Sequence, residues 1–285
     1  MIPRGLSEHG PGLYAVHGPL LTLERRLDEV FLSWARALGA EEYRFPALLA
    51  ARHLDRLEYF RSFPHLATFA APLPREPLAL ERFAREHRVD EEGAIGLSET
   101  GPVTHVVTPA ACYHVYVELE GKALSERTLL TTRATCCRCE ERYVPLERQW
   151  TFSMREIVCL GAPEEVAAFL EEGAATVQRF ASRLGLPVEW QGASDPFFQP
   201  KKNPKYVLQR LEPLKRELVL DGRLALASVN DHRLHFGEAF DITRDGRPLS
   251  TGCVAFGLER WLSAFVHTFG PEPDGWPDLD EAAHD

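Results

Sequence analysis

The residues with chemistry to offer are concentrated in one stretch, Arg133–Gly161, which reads as strand, long loop and returning strand. It carries an Arg-x-Glu element (Arg138, Glu140), a charged loop (Glu141, Arg142, Glu147, Arg148) and an aromatic return (Trp150, Phe152). It then runs to a carboxylate, Glu156, beside Ile157 and Val158. An arginine on a strand and another on its loop can hold a polyphosphate, because guanidinium supplies charge and a forked set of donors. An aromatic return strand offers a face to a purine. No G-x-x-x-x-G-K-[ST] occurs, so a nucleotide held here would lack a glycine-rich cradle.

Six cysteines follow no obvious metal spacing: Cys112, Cys136, Cys137, Cys139, Cys159 and Cys253. In Cys136-x-x-Cys139 the thiols lie three apart on an extended strand and face opposite sides, and no second Cys-x-x-Cys completes a four-thiolate site. Cys137 and Cys159 read as core thiols. His232 and His235 read as ordinary polar edge residues.

Around this stretch the periodicity sets the elements. Leu20, Leu21, Leu23, Leu27, Val30, Phe31, Trp34 and Leu38 predict a helix over residues 12–40, with Gly39 closing it and Pro46 ending a short extended run. Residues 50–95 read as a helical insertion. The β-branched run at 102–120 predicts a strand beginning near Cys112, after Pro109. Pro163, Glu164 and Glu165 open a helix to about Leu184. LPVEW reads as a strand, residues 195–206 as a loop, and the runs LALASVNDHRLHFG and FDIT as further strands. TGCVAFGLERW leads into an apolar helix, and an acidic tail at 271–285 reads as mobile. With no βαβ alternation, the fold class is α+β around an antiparallel sheet flanked by helices, with residues 1–270 as one domain.

Composition excludes several classes. The formal charge of −10 argues against broad nucleic-acid binding, which depends on phosphate neutralisation. No run of about 18 apolar residues predicts a membrane span, and MIPRGLSEHG lacks the shape of a secretory signal, so a cytoplasmic location is expected.

Three pieces together resemble the class II aminoacyl-tRNA synthetases: the helix, strand and proline at 12–46, the Arg138-Cys139-Glu140 element, and Gly257-Leu258-Glu259-Arg260 at a helix start. A narrower resemblance, carried by TPAACY, MREIVCLG, ASDPFF and TGCVAFGLERW, is to the amino acid:[carrier protein] ligases. These are homologues of atypical zinc-dependent seryl-tRNA synthetases that lack the tRNA-binding domain. The chain also lacks the N-terminal coiled coil with which ordinary seryl enzymes bind tRNA.

The resemblance implies activation of an amino acid with ATP and Mg²⁺, then transfer to the phosphopantetheine thiol of a carrier protein, by a homodimer without tRNA. Its zinc ligands fall at Cys112, Glu156 and Cys253, which spacing alone would not single out. The metal's fourth position takes the substrate amine. Arg138 is implied to hold the α-phosphate and the amino-acid carboxylate, and Glu140 the adenine or the loop. Arg148 and Gln149 meet ATP, and Arg260 lies across the adenine or γ-phosphate. Phe152 stacks on adenine or packs in the core. Ala227, Ser228, Val229 and Asn230 floor the pocket, with Asn230 toward the metal-held substrate or Mg²⁺, and Asp195 lines the substrate or caps its loop. One departure is Cys139, where the family commonly has His. The basic run Lys201, Lys202, Lys205, Arg210, Lys215 and Arg216 is the expected surface for an acidic carrier. Transfer to tRNA or a small amine, or a dead paralogue that binds a partner, are the alternatives.

Overall fold

The computed structural model describes residues 3–202, 212 and 214–283. In chain order the elements are β1 (Leu6–Gly10), β2 (Leu13–Val16), α1 (Gly18–Ala37), β3 (Glu41–Tyr43), β4 (Leu48–Ala50), α2 (Ala51–Arg56), α3 (Tyr59–Ser62), β5 (Phe69–Ala70), α4 (Pro77–Glu86), β6 (His105–Val107), α5 (Tyr113–Glu118), β7 (Thr128–Cys137) and β8 (Thr151–Gly161). Then follow α6 (Pro163–Arg183), β9 (Val188–Gly192), β10 (Lys215–Leu220), β11 (Leu224–Arg233), α7 (His235–Ala239), β12 (Thr243–Arg244), β13 (Arg247–Pro248), β14 (Ser250–Gly257), α8 (Leu258–Phe269) and α9 (Leu279–Ala283). A seven-stranded sheet in the order β3-β7-β8-β14-β11-β10-β9 organises the molecule. Every pairing in it is antiparallel except that of edge strand β3 with β7.

Side-chain alternation splits this sheet into two environments. One face, through Ile157, Val254, Phe256, Leu226 and Val229, packs on α1, α6 and α8. The apolar stripe of α1 sits there, with Phe31 stacked on Phe256 at 4.1 Å and tilted against Trp261 at 5.4 Å. Helix α6 approaches β14 closely: a Cβ on Gly173 would stand 2.6 Å from Val254 Cγ2, and one on Gly252 would stand 2.8 Å from Val166 Cγ1. These glycines let helix and strand meet without a side chain between them. The other face carries Val158, Cys253 and Ala255 and is covered by α2, α5 and α7.

A buried ion network fixes α1 to the sheet. Arg155, 2 % exposed, forks onto Asp28 (Nε–Oδ1 2.5 Å, Nη2–Oδ2 3.0 Å) and reaches Glu42 and Thr131 at 3.3 Å, while Arg133 pairs with Glu24. Planar forked geometry is what makes such a pair tolerable away from water.

Four expectations are corrected. Strands β1 and β2 precede the first helix, which starts at Gly18 rather than near residue 12. Cys112 does not begin a strand: it is the N-cap of α5, and the extended piece is β6. The run through His232 ends in α7 instead of continuing as strand. The acidic tail docks: Leu279 and Ala282 are buried, and Arg26 bridges Asp278 and Asp280. In each case tertiary packing overrides what composition and a single proline suggested.

Candidate active site

The covered face of the sheet gathers the functional residues by register. On β8, Glu156 pairs with Thr132 of β7 and Ala255 of β14. Cys253 lies two residues from Ala255 and therefore on the same face. Asn230 of β11 stands directly opposite Cys253, and Lys215 of β10 directly opposite Asn230. Cys112 comes from outside the sheet, carried by the loop before α5. That loop is tied down by Glu156, whose Oε1 accepts from the backbone N–H groups of Ala111 (3.0 Å) and Cys112 (3.2 Å). Among the described residues, Cys112, Glu156 and Cys253 form a metal-capable group, with ligand atoms all within 4.8 Å of one another and all three side chains buried.

Two thiols and a carboxylate packed together in a dry site, with no cationic side chain among them, ask for a cation. Their electrostatics say the same. The Cys112 thiol is pushed well above its ordinary pKa by its hydrogen bond with Cys253, by burial and by Glu156. Cys253 is lowered by its bond from Cys112, but burial and Glu156 outweigh that and raise it. Zn²⁺ fits this donor set, leaving a fourth position open in the manner of working rather than structural zinc sites. Asn230 Nδ2 donates to Cys253 Sγ at 3.3 Å and to Ser228 Oγ at 3.0 Å.

Arg138 lies at the edge of this cluster. Its Nε donates to Pro109 O (2.8 Å), three residues before Cys112, and its guanidinium sits over the Phe152 ring at 5.2 Å. Burial works against its charge, but Cys136, Tyr59, Tyr113 and Asp195 nearby raise its pKa overall. Glu140 pairs with Arg148 at 2.7 Å, so both brace the loop. Gln149 is buried, with its amide Nε2 unpartnered among the described residues. Arg260 donates to Glu147 O (3.0 Å) and Ala225 O (3.1 Å), clamping the same loop to β11. Glu259 accepts from the Ser153 N–H through both carboxylate oxygens (2.7 and 2.9 Å), fixing α8 to β8 beside Phe152.

Some expected site residues fall elsewhere. Ala227 and Val229 point into the opposite core, on the face packed by α1 and α6, so of these four residues Ser228 and Asn230 turn their side chains to the site. The described residues of the basic run do not form one surface. Lys201 and Lys202 are exposed, and Lys205 and Arg210 lie outside the described residues. Lys215 is drawn inward onto Asp195 (2.7 Å) and Glu217 (3.1 Å), and Arg216 pairs with Glu171. That pairing also places Asp195 at the rim of the site.

His232, read from sequence as an edge residue, belongs to the site. Its Nε2 is 3.7 Å from Cys253 Sγ, and its Nδ1 contacts Tyr116 Oη (3.2 Å) and Thr251 Oγ1 (3.3 Å). Burial lowers its pKa to about 3, so the ring is neutral. The bulge between Asp231 and Arg233, with Arg233 at φ +53°, redirects this end of β11. Alternation alone does not reveal that local turn.

No family model matches the chain. It is 35 % identical over 277 residues to amino acid–[acyl-carrier-protein] ligase 1 of Bradyrhizobium diazoefficiens, covering 93 % of this chain and 82 % of that protein. It is 33 % identical to ligase 2 of the same organism, covering 94 % and 81 %. The type-2 serine–tRNA ligase of Methanothermobacter thermautotrophicus is 28 % identical over 97 % of this chain, which spans 55 % of that enzyme. The fold matches that of Methanopyrus kandleri SerRS, crystallised with Aquifex aeolicus tRNASec, with a TM-score of 0.83 at 23 % identity over 97 % of this chain and 57 % of that one. The class II synthetase fold and the extent of these identities make the chain a member of the amino acid–[acyl-carrier-protein] ligase family.

Proposed function

We propose that Cys112, Glu156 and Cys253 hold Zn²⁺, and that the metal orients an amino acid for activation by ATP lying along the β7–β8 hairpin. The reaction is the family's: an amino acid is activated and transferred to a carrier protein. The observation that carries the reading is the convergence of three buried metal-capable side chains beside Arg138. Zinc at this position would supply a Lewis-acidic contact for a free amine.

The chain's own residues supply the rest. Arg138, anchored through Nε and laid against Phe152, keeps its terminal nitrogens for a phosphate and a carboxylate. As the carboxylate attacks the α-phosphorus, negative charge grows there, and a fixed guanidinium stabilises it without moving a proton. Phe152 offers an aromatic surface for adenine, and the Gln149 amide is a buried donor without a partner among the described residues. Arg260 and the Glu140–Arg148 pair keep the hairpin loop in position. Asn230, beside Cys253, would face a substrate held at the metal, with Asp195 at the pocket wall. ATP enters as its Mg²⁺ complex, which binds mostly through phosphates and water.

The acceptor is the phosphopantetheine thiol of an acidic carrier rather than tRNA; the net charge of −10 is unfavourable to broad nucleic-acid binding. Lys201 and Lys202 are proposed to meet the carrier. We take the working unit to be a cytoplasmic homodimer, as in the class at large. Among the described residues no helix is long and apolar enough to cross a membrane.

The test is ATP–pyrophosphate exchange over an amino-acid panel, followed by loading of holo-carrier with the activated amino acid. The expected product is a carrier thioester cleaved by hydroxylamine, unaffected by added tRNA. RNA-stimulated ester formation would place the acceptor elsewhere. No exchange with any amino acid would make the chain a binding protein.

A further inference from the structure

Cys253 differs from Cys112 in what surrounds its sulfur. Its Sγ receives the Asn230 amide at 3.3 Å and faces His232 Nε2 at 3.7 Å, within the longer reach of hydrogen bonds to sulfur. His232 is held by what surrounds its ring. Phe236 meets it edge-on with centroids 4.9 Å apart, and Tyr116, itself stacked on Phe236 at 3.8 Å, meets it edge-on at 6.1 Å. On the other nitrogen, Nδ1, converge the hydroxyls of Tyr116 and Thr251. Both can donate a proton, and the buried Tyr116 hydroxyl is satisfied by doing so. With a hydroxyl donating to Nδ1, the ring proton sits on Nε2 and faces the sulfur.

His232 is nevertheless not one of the side chains whose ligand atoms cluster within 4.8 Å of one another. It stands behind Cys253, not among the ligands.

We propose that His232 is a positioning residue for Cys253: with Asn230 it donates a hydrogen bond to the thiolate, holding it toward the metal and withdrawing part of its electron density. The inference rests on the zinc reading above. Its physical content is an asymmetry. Among the described residues no N–H donor reaches the Cys112 sulfur, whereas Cys253 would share its lone pairs with two N–H donors. A sulfur so bonded gives less charge to the metal, which leaves the ion a better acceptor at its open position. The partners of metal ligands commonly fix ligand orientation and affinity in this way.

The test uses purified full-length protein loaded with Zn²⁺ or with Co²⁺ as a spectroscopic probe. His232→Leu removes the donor, His232→Gln returns an N–H at the reach of Nε2, and Tyr116→Phe removes one partner of Nδ1. Zinc affinity is read by chelator competition and the sulfur–cobalt interaction by the near-ultraviolet charge-transfer band. For His232→Leu we expect affinity to fall about 10–100-fold. The band should move to longer wavelength, because an unbonded thiolate is easier to oxidise. His232→Gln should recover most of both, and Tyr116→Phe should move both in the direction of the Leu variant by less. A His232→Leu protein with wild-type affinity and band overturns the inference while leaving the zinc site standing. Equal impairment of the Leu and Gln variants also overturns it, by assigning the effect to ring packing. A wild-type protein that binds neither metal overturns the zinc reading, and this inference with it.

Discussion

Arg138 combines two jobs that a lysine cannot share. Its Nε is committed to Pro109 O and its plane to Phe152, so its charge and remaining donors project from a fixed position. Arg138→Lys keeps the charge and loses the anchor and the fork. Pyrophosphate exchange should fall about 10²–10³-fold in kcat with the fold intact by circular dichroism. The two thiols make a second prediction at this scale. Both pKa values lie above the ordinary thiol value in the metal-free site, so near pH 7 both carry protons that a metal must displace. Apparent zinc affinity should therefore rise with pH, by up to about a hundredfold per pH unit between pH 6 and 8, as two protons leave for each ion bound. Chelator competition across that range measures the slope, and a flat profile would mean that the thiols are not ligands. Of these residues, Arg138 stands out in the sequence through the Arg-x-Glu element and the aromatics after it. The metal group does not, because residues 44 and 97 positions apart meet only through strand register and a loop closed by Glu156. His232 shares the strand face of Asn230 by its two-residue spacing, but the sequence did not show that this face of β11 lines the site, so it read as an edge residue.

The elements meet through buried polar contacts whose cost can be measured. Glu259, at the start of α8, holds the Ser153 N–H but is pushed up to about 7, chiefly by burial. Its folded-state pKa thus exceeds the ordinary value of 4.5, so the native state binds more protons than the unfolded chain between these limits. Stability should fall as pH rises from 4.5 to 7, by roughly 3 kcal/mol, and level off above. Glu259→Gln keeps an acceptor for Ser153 and has no charge to bury, so this contribution should vanish from chemical denaturation profiles at pH 5 and pH 8. At this scale the sequence was a good guide to α1, α6, α8 and the β7–β8 hairpin. Their apolar periods are long, and Pro163 and Gly39 mark ends that the structure keeps. It was a poor guide where an element is short: α5 spans six residues and reads as β-branched, yet it is helical because Val115, Tyr116 and Leu119 fill the space above the sheet.

At the scale of the whole molecule, surface charge governs which face can meet an acidic partner. An acidic chain repels an acidic carrier except where it presents local cations. Lys201 and Lys202 are exposed, while Lys215 is turned inward onto Asp195 and Glu217. Reversing Lys201 and Lys202 to Glu should slow carrier loading several-fold and leave pyrophosphate exchange unchanged, as read in parallel assays. Equal loss of both activities, or of neither, would remove these lysines from the docking surface. The α+β class was legible from the absence of βαβ alternation. The parallel edge strand β3 and the docked helix α9 were not, since both depend on contacts distant in sequence. The central claim remains the metal: two sulfurs and one carboxylate facing a substrate amine beside Arg138. Zinc-edge X-ray absorption on the active enzyme, with and without a non-reactive aminoacyl-adenylate analogue, tests it most directly. We expect two sulfurs at about 2.3 Å and oxygen or nitrogen ligands near 2.0 Å, with the light-atom shell changing when the analogue's amine binds. An enzyme fully active without metal, or a shell without sulfur, would contradict the account.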